Sequence, residues 1–135
     1  MNSKPVLTLH DLKSIAIAAE AEALRNAWAV TIAIVDDGGH LLWLQRLDGA
    51  APVSAHIAPG KARTAAMGRR ESRVYEEMIN QGRFSFLSAP GLESLLEGGM
   101  PILVQGHCVG AVGVSGVKSA EDVQIAKAGI AALGV

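Results

Sequence analysis

The chain has 135 residues, half of them apolar and 19% charged, and a formal net charge of −1 at pH 7. That is enough chain for one domain, residues 1–135, with a core of its own, and the near-neutral charge gives no reason to expect nucleic acid or an anionic membrane as a partner. The single cysteine, Cys108, excludes an internal disulfide and suits a reducing compartment; with no apolar run of about 18 residues and no signal-like apolar N-terminal stretch, the expectation is a soluble cytoplasmic protein.

Thr8 and Asp11 form a helix-start signal related to the capping box. Leu12, Ile15, Ala16, Ala19 and Ala23 follow at helical spacing, which predicts a helix over Leu9 to Asn26. Val30 to Val35 is β-branched and apolar, a good strand. Asp36-Asp37-Gly38-Gly39 supplies residues that tolerate a tight turn, and Leu41 to Leu47 is the return strand. Pro59 sits more comfortably at a helix start than inside a helix. The reading is therefore a turn at Ser54–Ala58, a helix at Gly60–Met67, and another at Ser72–Gln81 closed by Gly82. Phe84 to Leu92 reads as a loop or weak strand, broken by Pro90-Gly91. Ile102–Gln105 and Cys108–Ser115 make a second hairpin around Gly106-His107. Ser119 and Asp122 repeat the helix-start signal, with Val123, Ala126, Ile130 and Leu133 as the buried stripe. Hairpins mean antiparallel pairing, and helices before, between and after them predict an α+β domain.

Several blocks carry a family resemblance: Ile34-Val-Asp-Asp-Gly-Gly-His-Leu-Leu42, Arg46-Leu-Asp-Gly49, Lys61-Ala-Arg-Thr-Ala-Ala66, Gly68-Arg-Arg-Glu71, Glu97-Gly-Gly-Met-Pro-Ile102 and Gly110-Ala-Val-Gly-Val-Ser-Gly116. In order and spacing the chain resembles the GlcG/HbpS-like family over nearly its whole length. The same domain type occurs at the C-terminus of some corrinoid adenosyltransferases. The resemblance implies a profilin-like α+β fold with a single antiparallel sheet of about five strands, an ordinary size, and packed helices. It also implies homo-oligomers, haem as the ligand of some members, and a link to glycolate utilisation.

Four histidines are candidate iron ligands: His10, His40, His56 and His107. His10, His40 and His107 sit at a helix start and at turns, where exposed polar residues need no functional reason. His56, between Ala55 and Ile57 and close to Lys61 and Arg63, is the choice for haem iron. No two histidines stand at the i, i+4 spacing of a hydrolytic zinc site. Lys61 and Arg63 suit a carboxylate, a haem propionate or a small hydroxy acid, through charge-assisted hydrogen bonds; they equally suit structural ion pairs. Arg69, Arg70 and Arg73 read as a solvated helical face. Arg46 and Asp48 close the first hairpin, where sites gather, and either orient a ligand or fix the loop. Lys61 lacks the upstream glycines of a P-loop, and the glycines from Gly110 to Gly116 are not spaced as a dinucleotide fingerprint.

The leading expectation is an oligomeric ligand-binding protein that takes haem or a related tetrapyrrole, with Arg46, Asp48, His56, Lys61 and Arg63 as ligand-binding residues. One rival is an enzyme or accessory protein acting on a small 2-hydroxy or 2-oxo acid such as glycolate, with Asp48 or His56 moving a proton. The other is a structural or sensory dimerisation module.

Overall fold

In the computed structural model, Met1–Val135 form four α-helices and one antiparallel sheet: α1 Leu9–Arg25, β1 Thr31–Asp36, β2 Leu41–Arg46, α2 Ser54–Gly68, α3 Arg73–Asn80, a 3-10 helix at Phe84–Ser88, β3 Gly99–Val104, β4 His107–Ser115 and α4 Ser119–Ala131. The sheet has four strands in the order β2-β1-β4-β3. The last hairpin thus inserts its second strand beside β1, and β1 and β4 become the buried centre. Thr31 pairs with Arg46 on one side and with Ser115 on the other.

Helices cover both faces. Ile32, Ile34, Val112 and Val114 point toward α1 and α4, joining Leu12, Ile15, Ala19, Ile102 and Ile125 in the main core. Full burial of each isoleucine is worth about 1.5–3 kcal/mol relative to exposure. On the opposite face Val35 and Ala111 meet Ala62, Ala65 and Ala66 of α2. Small residues bring α2 very close: a Cβ on Gly113 would overlap the Ala58 carbonyl oxygen, with the Ala62 nitrogen also within 2.5 Å. Gly129 plays the same part between the helices of the other layer, where a Cβ would lie 3.0 Å from Ile15 Cγ2.

Four local expectations change. First, α2 runs unbroken from Ser54 to Gly68 with Pro59 inside it. The entering N–H groups of Ser54, Ala55, His56 and Ile57 are already satisfied by the carbonyls of Ala51, Pro52 and Val53. The proline therefore removes one later bond, and the alanine face on the sheet holds the helix together. Second, Phe84 to Leu92 contributes no strand, so the sheet has four strands rather than five. Phe86 instead packs edge-on against Tyr75 of α3, ring centroids 5.4 Å apart. Third, α3 begins at Arg73, with Ser72 as its cap position. Fourth, the fully buried residues of α4 are Asp122, Ile125, Ala126 and Gly129; of the expected stripe, Ala126 is among them and Ile130 and Leu133 pack partly buried against the core, while Asp122 is drawn inward as well. No helix is long and apolar enough to cross a membrane.

Candidate functional site

The expected site residues divide among three places. Lys61, expected to meet a ligand, is instead inside the protein. Its side chain is 5% exposed and its Nζ donates to Asp122 Oδ2 at 2.9 Å and to the Val114 carbonyl at 3.0 Å. Asp122 completes its shell by accepting from the Val117 N–H at 3.3 Å through Oδ1. Burial pushes the Asp122 carboxyl above the ordinary carboxylate value, against the opposing pull of Lys61. The glycine pair of the Glu97-Gly-Gly-Met-Pro block makes room for this clasp. A Cβ on Gly98 would stand 2.7 Å from Lys61 Nζ, and one on Gly99 would overlap the Lys61 carbonyl oxygen. The two most distinctive blocks of the sequence therefore meet as structure, not as an open ligand pocket.

Arg46, Asp48 and His56 lie toward the Thr31 end of the sheet. Thr31 Oγ1 and Ser54 Oγ form a buried hydrogen bond of 2.7 Å, which pins the start of α2 beside the β1–β2 pair. His56 follows on the first turn of α2, exposed, its side chain with no hydrogen-bond partner within the chain. Arg46 Nε donates to the Ala50 carbonyl at 3.0 Å; this fixes the loop after β2 and leaves the terminal guanidinium nitrogens free of ion pairs. Arg46 and Asp48 share a cleft of about 490 Å³, also lined by Glu20, Leu24, Ala27, Trp28, Ala29, Gln45 and Leu47. Sequence reasoning missed Glu20 and Trp28, which come from α1 and the turn after it; nothing in local spacing ties them to Arg46.

Arg63 lies at the far end of α2, at the tip of the first hairpin. Its guanidinium is 3.5 Å from Glu93, and a Cβ on Gly39 would stand 2.8 Å from its Cγ. His40 folds back on Asp36, Nδ1 to Oδ1 at 3.1 Å. His10 is exposed at the start of α1 and His107 half-buried at the start of β4. No three His, Cys, Asp or Glu side chains gather to hold a metal ion, and Cys108 is buried.

Haem needs an axial donor, a cation for its propionates and an apolar wall. His56 and Arg63 lie two turns apart along one side of α2, about 11 Å at the helical pitch. Register places Leu41 opposite Val35 and Leu44 opposite Ala33, so both leucines point to the α2 side of the sheet. That helix leaves them 48% and 46% exposed, and Met67 is 44% exposed on the helix itself. Donor, cation and apolar surface are thus all present on one face. His56 lines none of the larger clefts of the chain, so this face is open on its outer side.

The family model described as "Haem degrading protein HbpS-like" matches residues 7–131. Protein GlcG of Escherichia coli (strain K12) is 53% identical over 115 residues, 85% of each chain. Among solved structures, HbpS superposes with a TM-score of 0.90 at 32% identity, covering 100% of this chain and 95% of that one. A PduOC:heme complex superposes with a TM-score of 0.86 at 27% identity, covering 95% of each chain.

Proposed function

The chain belongs to the HbpS-like family, and on that premise we propose that it binds haem on the exposed face shared by α2 and β2. The observation that carries this reading is the placement of His56 and Arg63 along one side of α2, beside the uncovered Leu41 and Leu44. His56 would hold the iron, and the guanidinium of Arg63, now paired with the exposed Glu93, would meet a propionate. Bound haem would supply an iron centre open to redox chemistry. The chain itself supplies orientation, an apolar wall and charge neutralisation. A solved relative in complex with haem supports the choice of ligand.

The reading includes a homo-oligomer, because a second copy would close the open face and cover leucines that a lone chain leaves in water. A profilin-like classification, a cytoplasmic location and a connection with glycolate utilisation belong to the same reading. The strand order β2-β1-β4-β3 with helices on both faces supports the first of these.

Haemin titration followed by absorbance, on the wild type and on His56→Ala, tests the proposal. Saturable binding at a fixed stoichiometry, with a Soret spectrum changed in the variant, is the expected result. Weak, non-saturating binding indifferent to His56 would overturn it.

A further inference from the structure

We propose that the free edge of β2 is an interface between copies of this chain: β2 pairs, antiparallel, with β2 of a second copy about a two-fold axis normal to the sheet, so that two sheets join into one. This goes beyond the homo-oligomer of the preceding reading by assigning its surface, and it holds whether or not haem binds.

The register decides which backbone groups of β2 face outward. The Leu47 N–H donates to the Val30 carbonyl at 2.9 Å, and the pairs that follow include Ile32 with Gln45 and Ile34 with Trp43. Antiparallel ladders alternate bonded and non-bonded pairs. Gln45 and Trp43 therefore use their backbone groups on β1, while Leu44 and Arg46 turn theirs away from it. β2 is the outermost strand, and no acceptor within the chain meets the Leu44 or Arg46 N–H.

The two edges of the sheet differ. On β3 the Gly99 N–H donates to Ser72 Oγ at 2.8 Å, and the Ser72 N–H donates to the Gly99 carbonyl at 3.0 Å. Pro101, the next outward position, has no N–H to offer. That edge is closed. The β2 edge has no proline and no lysine, and its single charged residue, Arg46, stands at its end. Its bulge lies opposite Ile34 and Val35, which leaves Trp43 to Arg46 regular. Beside this bare edge Leu41, Leu42 and Leu44 are 48%, 39% and 46% exposed.

The charge and the leucines point to a second copy as the partner. With the strands overlapped antiparallel, the two Arg46 side chains go to opposite ends and like charges do not meet. A two-fold axis normal to the sheet sets the α2 sides of both copies on the same face, so Leu41 and Leu44 of one continue onto those of the other. One contact then satisfies the outward backbone groups and covers the apolar surface.

Residue-resolved hydrogen exchange on the full chain without haem, with light scattering for mass, tests this. The Leu44 and Arg46 amides are expected to exchange as slowly as those of Trp43 and Gln45, in a protein with the mass of a dimer or larger. Leu44→Pro removes an outward donor that nothing within the chain uses. It is expected to lower the mass and speed exchange at Arg46 by about tenfold or more, while Gln45 stays protected. Leu44→Lys keeps the backbone donor and sets like charges at the edge, and the same direction is expected; thermal melts confirm that each variant is folded. An oligomer whose Leu44 and Arg46 amides exchange fast, or wild-type mass in both variants, overturns this pairing alone. A monomeric wild type overturns it together with the homo-oligomer, and leaves haem binding to its own titration.

Discussion

Lys61 and Asp122 meet inside the protein, Nζ 2.9 Å from Oδ2, their side chains 5% and 2% exposed. The pair joins the middle of α2 to the first turn of α4 across the end of β4, where the Val114 carbonyl takes a second bond from the same ammonium. Two layers of the fold are thereby locked by one desolvated ion pair.

Removing one partner leaves a buried charge unmatched. Lys61→Met and Asp122→Leu are each expected to lower unfolding stability by about 3–5 kcal/mol. The double variant Lys61→Met/Asp122→Leu is expected to be closer to the wild type than either single one. Denaturant unfolding of the four proteins measures this. Additive losses would show that the two groups do not act as a pair.

The Thr8–Asp11 capping box controls part of the acid response. Asp11 accepts from the Thr8 N–H at 2.8 Å and from its hydroxyl at 2.9 Å, and these bonds hold its carboxyl below the ordinary value of 3.8. A depressed carboxyl contributes stability that is present above pH 3.8 and lost as pH falls through its folded value. Asp122 works in the opposite sense: its raised carboxyl takes up a proton first in the native state, so its own contribution grows as pH falls toward 3.8. Thr8→Ala should cost about 1 kcal/mol at neutral pH and raise the Asp11 carboxyl toward 3.8, followed by side-chain carboxyl chemical shifts.

Close backbone contacts make two glycines intolerant. Gly99→Ala would drive a methyl group into the Lys61 carbonyl and Gly113→Ala into the Ala58 carbonyl. Backbone cannot swing aside as a side chain can, so each is expected to cost about 3 kcal/mol, the upper end for overpacking. Gly106→Ala is the control: nothing lies within 4 Å and only its φ of +80° is strained, for about 1–2 kcal/mol. Thermal unfolding of the three variants should show this order.

The His56 side chain is exposed and makes no hydrogen bond within the chain, so His56→Ala should leave stability within about 0.5 kcal/mol of the wild type. A large drop in melting temperature for this variant would show that His56 supports the fold. Any loss of haem binding could then not be assigned to a lost iron ligand.

Much of the fold is written in local pattern. The capping box and apolar period of α1, the β-branched run of β1, the Asp-Asp-Gly-Gly turn and the second hairpin all rest on residues within a few positions of one another. For that reason they are read from sequence to within a residue or two, except that β3 begins at Gly99, three residues before the expected Ile102. Pro59 misled for a related reason: local preference argued for a break, while the alanine face of α2 on the sheet decided for a continuous helix. Phe84–Leu92 carried no strong pattern, and its packing against Tyr75 settled its shape.

The sequence by itself determined the α+β class, the paired hairpins and the family. Tertiary structure decided where the charged groups of the distinctive blocks point. Lys61 and Asp122 are 61 positions apart, and Glu20 and Gln45 are 25 apart. Whether a lysine faces solvent, a ligand or a buried carboxylate depends on which strand lies beneath it. That was fixed only when β4 took its place between β1 and β3, a long-range pairing that no period of two or 3.6 residues encodes.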